Sequence, residues 1–389
     1  MAAAPPLFSL PGLSLAILSL VVYQLCFALI LLCLPRRALL LRWLSLAPLS
    51  AAAYAVARHA VAPAGPPQRQ APLLGLLVIH WLGLAEYVLL SRVALTGPTR
   101  WRRRLWQALA LSCNARRLGT PWEAKNVYRR GGGGPWSTPR FLAHVVPRVM
   151  LCYLVVDALM LAPPPDAHLV TVRKQAAWRL WTLTAEDVGF RAAATVLFWL
   201  VSYCIVYGLI HVAAVAAVVL GLSTPAFWPH LFGPVSELYT LRGFWGTFWH
   251  QRLRRTLTSF SDAVADHVLC IRRPSTLSTY TRLFLVFAIS GLLHHPTDTV
   301  QGLPATETAS VAFFLMQPLG IVAEDAAQAL TRGWPLPRWV RSVAGYAWVA
   351  FFLVCTTPTW MFSIARLGQT PDLLPVKVAR PLVAWLTGE

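Results

Sequence analysis

About eight stretches of roughly twenty predominantly apolar residues run through this chain, near 12–34, 38–57, 72–91, 141–162, 193–222, 279–297, 308–330 and 343–363. Wound as an α-helix, a run of that length matches the thickness of a bilayer's hydrocarbon core. In lipid every backbone polar group must be satisfied internally, which a helix does within its own segment. The sequence therefore predicts an all-α chain, a polytopic transmembrane helix bundle of about eight spans. Composition agrees: 57% of the 389 residues are apolar and 13% are charged, where an ordinary soluble domain carries about 25% charge. The run from Leu13 to Leu34 is too long for the apolar core of a signal peptide and no basic region precedes it, so it reads as a retained first span. Pro35, Pro63 to Pro67, Pro163 to Pro165, Pro225 and Pro229 punctuate the spans.

The net charge of +19 raises nucleic acid as a partner. The basic residues flank apolar runs and form no RNA- or DNA-binding motif, so nucleic acid is set aside. Most Lys and Arg residues fall in one set of alternate loops, 35–42, 92–140, 223–278 and 331–342. By the positive-inside rule this set is cytosolic and both termini are lumenal or outside. Segments 92–140 and 223–278 carry most of the polar chemistry. Phe232, Trp245, Phe248 and Trp249 suit a buried cleft or an interface, so re-entrant or interfacial helices are expected in 223–278. Gly131 to Gly134 reads as a flexible loop, since no GKS or GKT follows it. The seven cysteines form no CxxC pair and no Cys/His metal spacing, so neither zinc nor a disulfide framework is expected.

Three constellations are capable of chemistry. The run Phe287 to His295, FAISGLLHH, puts an imidazole late in an apolar helix. His294 lies roughly 18 Å along that helix from Arg282, deep in the membrane if Arg282 marks the boundary. Intramembrane ionisable residues usually face a cavity or a partner. A histidine at the far interface, bonded to a backbone carbonyl, is the plain alternative, and the residues leave both open. The run Arg242 to Arg252 is RGFWGTFWHQR. Arg suits phosphate and a Trp face can stack on a base, but an interfacial helix with snorkelling arginines fits as well. The run Arg117 to Asn126, RLGTPWEAKN, has the turn residues of a structured cytosolic loop, or of a solvated one with Glu123 and Lys125 paired.

Other polar residues in the spans carry less. His80, Glu86, Asp157 and His211 read as satisfying helix–helix hydrogen bonds. Glu324 and Asp325 end the seventh span and read as interfacial. His294 and Asp298 share the HxxxD spacing of soluble acyltransferases, but the DFGWG partner of those enzymes is missing; Asp298 could still orient a histidine.

In this order, Arg116 to Asn126 (RxxGTPWEAKN), Phe244 to Gln251 (FWGTFWHQ) and Ser290 to His294 (SGLLH) resemble the wax synthase-like branch of the membrane-bound O-acyltransferases, in particular fungal members that acetylate terpenoids and related secondary metabolites. Tyr153 to Asp157, Phe313 to Asp325 and Gly345 to Val349 add to the likeness, which covers roughly residues 110–362. It implies three parts: N-terminal membrane helices over 1–109, an acyltransferase core over 110–362 and a tail over 363–389. It also implies residue roles. His294 matches the catalytic histidine of SGLLH and His250 the second polar site. Trp245, Trp249, Gln251, Arg252, Trp122, Lys125, Asn126 and Ser290 then fall to substrate or acyl-CoA binding. Acetyl-CoA or another acyl-CoA would be a co-substrate, with no permanently bound cofactor and no metal. The acceptor would be a lipophilic hydroxylated small molecule, and the location the endoplasmic reticulum membrane. Plant members often have Glu where His295 stands and Asn where His250 stands, which favours the fungal acetyltransferase branch over a long-chain wax-ester role.

The chemistry asked of such a site is modest. A neutral imidazole near its ordinary pKa can accept a hydroxyl proton as the oxygen attacks a thioester. The oxyanion then needs a donor, for which His250, Trp249 and Gln251 are candidates. The thiolate leaves, so no acyl-enzyme is required. A transporter would need a polar pathway and often repeated halves. A terpene cyclase would need carboxylic acids in the spans, where Glu86, Asp157, Glu324 and Asp325 are the chief ones. The acceptor's identity and the acyl chain length are not written in any linear motif.

Overall fold

A computed structural model of the chain describes residues 10–129 and 136–381; the glycine run at 131–134 lies outside the described residues. The described residues contain helices and turns and no strand. The longer helices are α1 (Leu10–Cys33), α2 (Leu39–Ala64, bent along its length), α3 (Pro67–Leu89), α4 (Trp101–Ser112), α5 (Thr138–Leu159), α6 (Ala185–Val219), α7 (Arg254–Ala263), α8 (Thr276–Val300), α9 (Ser310–Leu330) and α10 (Arg338–Ala365). Eight of them, all but α4 and α7, are long and apolar enough to cross a membrane. They coincide with the eight apolar runs of the sequence. The largest difference is α6, which starts at Ala185, not near 193. Thr184 and Asp187 form a capping box there. Each side chain accepts from the other's backbone N–H, at 3.2 and 3.0 Å, which satisfies two of the orphan donors at the helix start.

The chain divides into two compact units, Met1–Lys125 with Arg252–Gln301, and Asn126–Gln251 with Gly302–Glu389. The first unit holds α1, α2, α3, α4, α7 and α8. Tyr23, Phe27 and Leu31 of α1 pack with Leu49 of α2, Leu84 and Val88 of α3 and Ala108 of α4. Leu15, Ile17, Leu18, Val21, Val22 and Leu29 of α1 stay exposed. A predominantly apolar helix with one packed side and one bare side suits lipid, where close packing rather than water exclusion holds helices together. Arg42 of α2 is fully buried and has no carboxylate partner among the described residues. Its guanidinium donates to the carbonyls of Pro35, Val88, Leu34 and Val93, at 2.7–3.1 Å. Two of these acceptors, Leu34 and Val88, lie at the C-terminal ends of α1 and α3, where helix dipoles favour a cation.

The second unit holds α5, α6, α9 and α10. Phe141 and Val145 of α5 meet Ala214 and Val218 of α6. Gly320 lets α9 approach its neighbours, since a Cβ there would come within 2.5 Å of the Phe352 ring on α10 and 2.6 Å of Leu241. Arg191 of α6 is buried and spends its donors on the carbonyls of Val354, Lys174, Ala176 and Cys355. Near the end of α5, Asp157 accepts from the backbone N–H groups of Val378 (2.7 Å) and Ala379 (2.6 Å). One turn earlier the Tyr153 hydroxyl donates to the Val376 carbonyl and accepts from its N–H. The YLVVD segment thus seats the stretch after α10 on one face of α5, residues i and i+4 being neighbours on a helix.

Candidate functional site

The histidine of the SGLLH segment sits on α8 in the first unit. Ser275 caps the start of this helix by accepting from the Ser278 N–H. Leu293 faces inward and packs with Leu253 and Leu257 of the preceding segment and with Val78, Ile79 and Leu82 of α3. His294 follows, half-buried, and its Nδ1 lies 2.7 Å from the carbonyl oxygen of Ser290, one turn back. A carbonyl can only accept, so Nδ1 carries the hydrogen and the Nε2 lone pair is left as the ring's basic site. Ser290 and Asp298 flank His294 one turn either way, and both are buried. Pro296 interrupts the helical ladder just beyond, since it has no N–H to offer the carbonyl of Leu292.

The FWGTFWHQ segment belongs to the second unit, and it is not an amphipathic helix. Leu241–Gly243 makes one helical turn, capped by Thr240, and Phe244–Phe248 opens into a wide turn closed by the Trp249 N–H on the Phe244 carbonyl at 2.7 Å. Gly233 donates to the Phe248 carbonyl at 2.8 Å, and a Cβ at Gly233 would run into the Thr247 carbonyl. The Gln251 amide donates to the carbonyls of Trp245 and Trp249, and Asn126, at φ +62°, donates to the Gly246 carbonyl at 2.9 Å. Both side chains therefore hold the turn in shape. Trp245 and Trp249 join Trp199 of α6 in an aromatic cluster, with ring centroids 5.7 and 4.8 Å from it. Edge-to-face pairs at such separations add to the packing. The Trp245 indole donates to Gln317 of α9 at 3.1 Å, and Gln317 in turn donates to the Phe313 carbonyl at 3.1 Å. His250 is half-buried beside Phe232 and Trp249.

The RLGTPWEAKN loop lies in the first unit up to Lys125. Arg117 (φ +57°) and Gly119 (φ +69°) make its tight turns, and the Asn114 side chain bridges both the N–H and the C=O of Leu118 at 2.9 Å. Glu123 accepts from the Gly119 N–H and Lys125 is exposed, so the local pairing of those two charges is not what orders the loop. Arg117 is. It is 1% exposed, forms an ion pair with the fully buried Glu86 of α3, and lies 3.6 Å over the Tyr87 ring. Trp122 packs on the core formed by α1, α2, α3 and α4.

Of the residues singled out in the sequence, the first unit brings together His294 and Ser290, and separately holds Arg252, Trp122 and Lys125. The second unit brings together His250, Trp245, Trp249, Gln251 and Asn126. The intramembrane polar residues find local partners. His80 bonds the Tyr23 hydroxyl at 3.2 Å and the Ser112 carbonyl at 3.0 Å, His211 bonds the Tyr207 carbonyl of its own helix, and Glu324 accepts from the Leu241 N–H. Sequence reasoning overlooked Trp199 and gave Gln317 no role. Aromatic density around 244–249 was the available signal for the first, and a glutamine in the middle of an apolar helix for the second.

Comparison with known proteins supplies the chemical class. Residues 228–316, which include both His250 and His294, match the model of the membrane bound O-acyl transferase family. The chain is similar to the acetyltransferase ataH of Aspergillus terreus, 34% identical over 293 residues that cover 72% of this chain and 96% of that protein. The acetyltransferase atnC of an Arthrinium species is 33% identical, covering 74% and 70% of the two chains. The acetyltransferase TRI7 of Fusarium sporotrichioides is 32% identical, covering 70% and 67%. No solved structure matches the chain. Neither a transporter nor a terpene cyclase accords with these relatives. The chain belongs to the membrane bound O-acyl transferase family: it is a multi-pass membrane acyltransferase of the branch that contains the fungal acetyltransferases.

Proposed function

We propose that the protein transfers an acetyl group from acetyl-CoA to a hydroxyl of a lipophilic small molecule such as a terpenoid, with His294 as general base. The observation that carries this reading is the His294 Nδ1 contact with the Ser290 carbonyl, which puts the ring's hydrogen on Nδ1 and makes Nε2 its basic atom. The hydroxyl proton goes to Nε2 as its oxygen bonds to the thioester carbon. The resulting tetrahedral oxyanion collapses, the C–S bond breaks, and the CoA sulfur leaves with a proton returned from the imidazolium. No acyl-enzyme intervenes. His250 donates to the oxyanion. Gln251 is a weaker candidate for that task, because its N–H groups are already spent on the Trp245 and Trp249 carbonyls. Trp122, Lys125, Asn126, Trp249, Arg252 and Ser290 complete the proposed donor and acceptor contacts. Acetyl-CoA is a consumed co-substrate, and the membrane is that of the endoplasmic reticulum.

Membranes containing the protein, incubated with isotopically labelled acetyl-CoA and a panel of hydroxylated terpenoids, are expected to yield a product heavier by one acetyl group in mass spectrometry. Product formation only with long-chain acyl-CoA would replace the acetyl reading. A His250→Ala variant is expected to lose about 10²-fold in kcat, the usual cost of removing one oxyanion donor. Unchanged kinetics in that variant would reduce His250 to a packing partner of Phe232 and Trp249.

A further inference from the structure

The first unit contains a small cavity of about 20 Å³ with a largely apolar wall, into which His80, Tyr87, Ser112, Arg117, Arg252 and Thr256 bring polar groups. It lies where the two polar segments meet α3, one segment supplying Ser112 and Arg117 and the other Arg252 and Thr256. Most of its polar groups are already satisfied. His80 uses both ring nitrogens, the Ser112 hydroxyl donates to the Leu109 carbonyl at 2.7 Å, and the Tyr87 hydroxyl points to the Asn114 carbonyl. Two groups are not. The Nε–H of Arg117, on a side chain 1% exposed, is buried without a hydrogen-bond partner. Arg252 has neither hydrogen bond nor ion pair among the described residues of its unit. Both are donors and both are cationic.

The local charge is unbalanced in the same sense. Two guanidinium groups, Arg117 and Arg255, share a single carboxylate, Glu86, which pairs with Arg117 and lies 4.0 Å from Arg255, and Arg252 adds a third cation in the cavity wall. Burial pushes the Arg252 guanidinium down to about 10, so it remains a cation throughout the physiological range. Arg117 is fully buried and Arg252 half-buried, and a neutral water would bond these donors without offsetting their charge. The cavity has room for about one water-sized group, just above the 10–15 Å³ such a group needs. Arg favours phosphoryl oxygens because its planar fork of N–H donors matches their geometry.

We propose that this cavity is an anion site that receives one phosphoryl oxygen between Arg252 and the Nε–H of Arg117. The oxygen belongs either to a phosphate of the acyl donor or to free phosphate. The donor assignment rests on the acetyl-CoA reading above, whereas the anion site itself does not. Leu293 shares an apolar cluster with Leu253, next to Arg252, and Ile79 of the cavity wall packs on that cluster, so the same cluster links the cavity wall to the helix turn that carries His294.

Thermal unfolding of the full chain in detergent, with and without millimolar inorganic pyrophosphate, tests the site without any turnover. Wild type is expected to gain ~3 °C or more and R252Q less than about a third of that. An equal shift in both proteins, or no shift in wild type at saturating pyrophosphate, overturns the proposal and leaves a water-filled gap. If R252Q does not accumulate, R252K supplies the comparison. It keeps the charge but loses the fork, and is expected to lose at least half of the shift; a full shift there overturns the paired-donor geometry. The KM for acetyl-CoA separates the two sources. A rise of ~10-fold in R252Q, with kcat changed less, assigns the site to the donor. An unchanged KM alongside a lost pyrophosphate shift assigns it to free phosphate. Absence of acetyl transfer by wild type, with the pyrophosphate shift intact, overturns the donor reading alone.

Discussion

Replacing His294 with alanine is expected to lower the rate of acetyl transfer by ~10²–10⁴-fold, the range that a positioned general base contributes. The Nδ1–H on the Ser290 carbonyl fixes the tautomer, so the lost function is that of one lone pair, Nε2. The base must be neutral to act, and wild-type kcat should therefore fall as the pH drops through the pKa of the imidazole. That acidic limb should vanish from the residual activity of the variant. Single-turnover rates across a pH series in membranes would show both effects, with retained binding of labelled CoA reporting that the variant is folded. Wild-type turnover in H294A would remove His294 from the chemistry and return it to the plain alternative, a helix histidine satisfied by its own backbone.

The largest stability effect is expected at the buried pair of Glu86 and Arg117. Removing Glu86 leaves a guanidinium that is 1% exposed and without its carboxylate, at a cost of about 3–5 kcal/mol. Its remaining neighbours do not replace that charge. They are the Ser91 hydroxyl at 3.2 Å, which itself donates to Glu86 at 2.8 Å, the Gly83 carbonyl at 3.5 Å and the face of Tyr87. Glu86→Ala should therefore lower the unfolding temperature in detergent sharply. The double variant Glu86→Leu with Arg117→Met should recover much of the loss, because it removes both charges and keeps the volume. If Glu86→Ala melts at the wild-type temperature, the pair does not hold the loop.

The membrane architecture was legible because length and hydropathy are local properties. A span reports itself wherever about twenty apolar residues stand together. The edge misjudged most, at the start of α6, has a local cause as well. Its first turns carry Thr184, Glu186, Asp187 and Arg191, which look like loop residues until the capping box and the four carbonyls around Arg191 are in view. The three motif segments were legible as candidates by composition, but their internal logic was not. That Arg117 reaches Glu86, or that Gln317 anchors Trp245, depends on pairings between residues 31 and 72 positions apart. No periodicity encodes such pairs. Gln251 is a similar case: as an amide beside His250 it looked like an oxyanion donor, and its geometry makes it a brace for the turn.

The seat that α5 provides for the stretch after α10 is read through main-chain groups alone. Asp157 takes two amide hydrogens, from Val378 and Ala379, and Tyr153 engages both polar groups of Val376. No side chain of that stretch takes part in these bonds. Residues 376–379 can therefore drift in identity without losing their place, much as a strand keeps its register whatever its outward side chains. Proline at 376, 378 or 379 is the exception, because it brings no hydrogen to donate. A comparison of such tails residue by residue would find little in common, and the shared seat would be visible only in the helix that holds it.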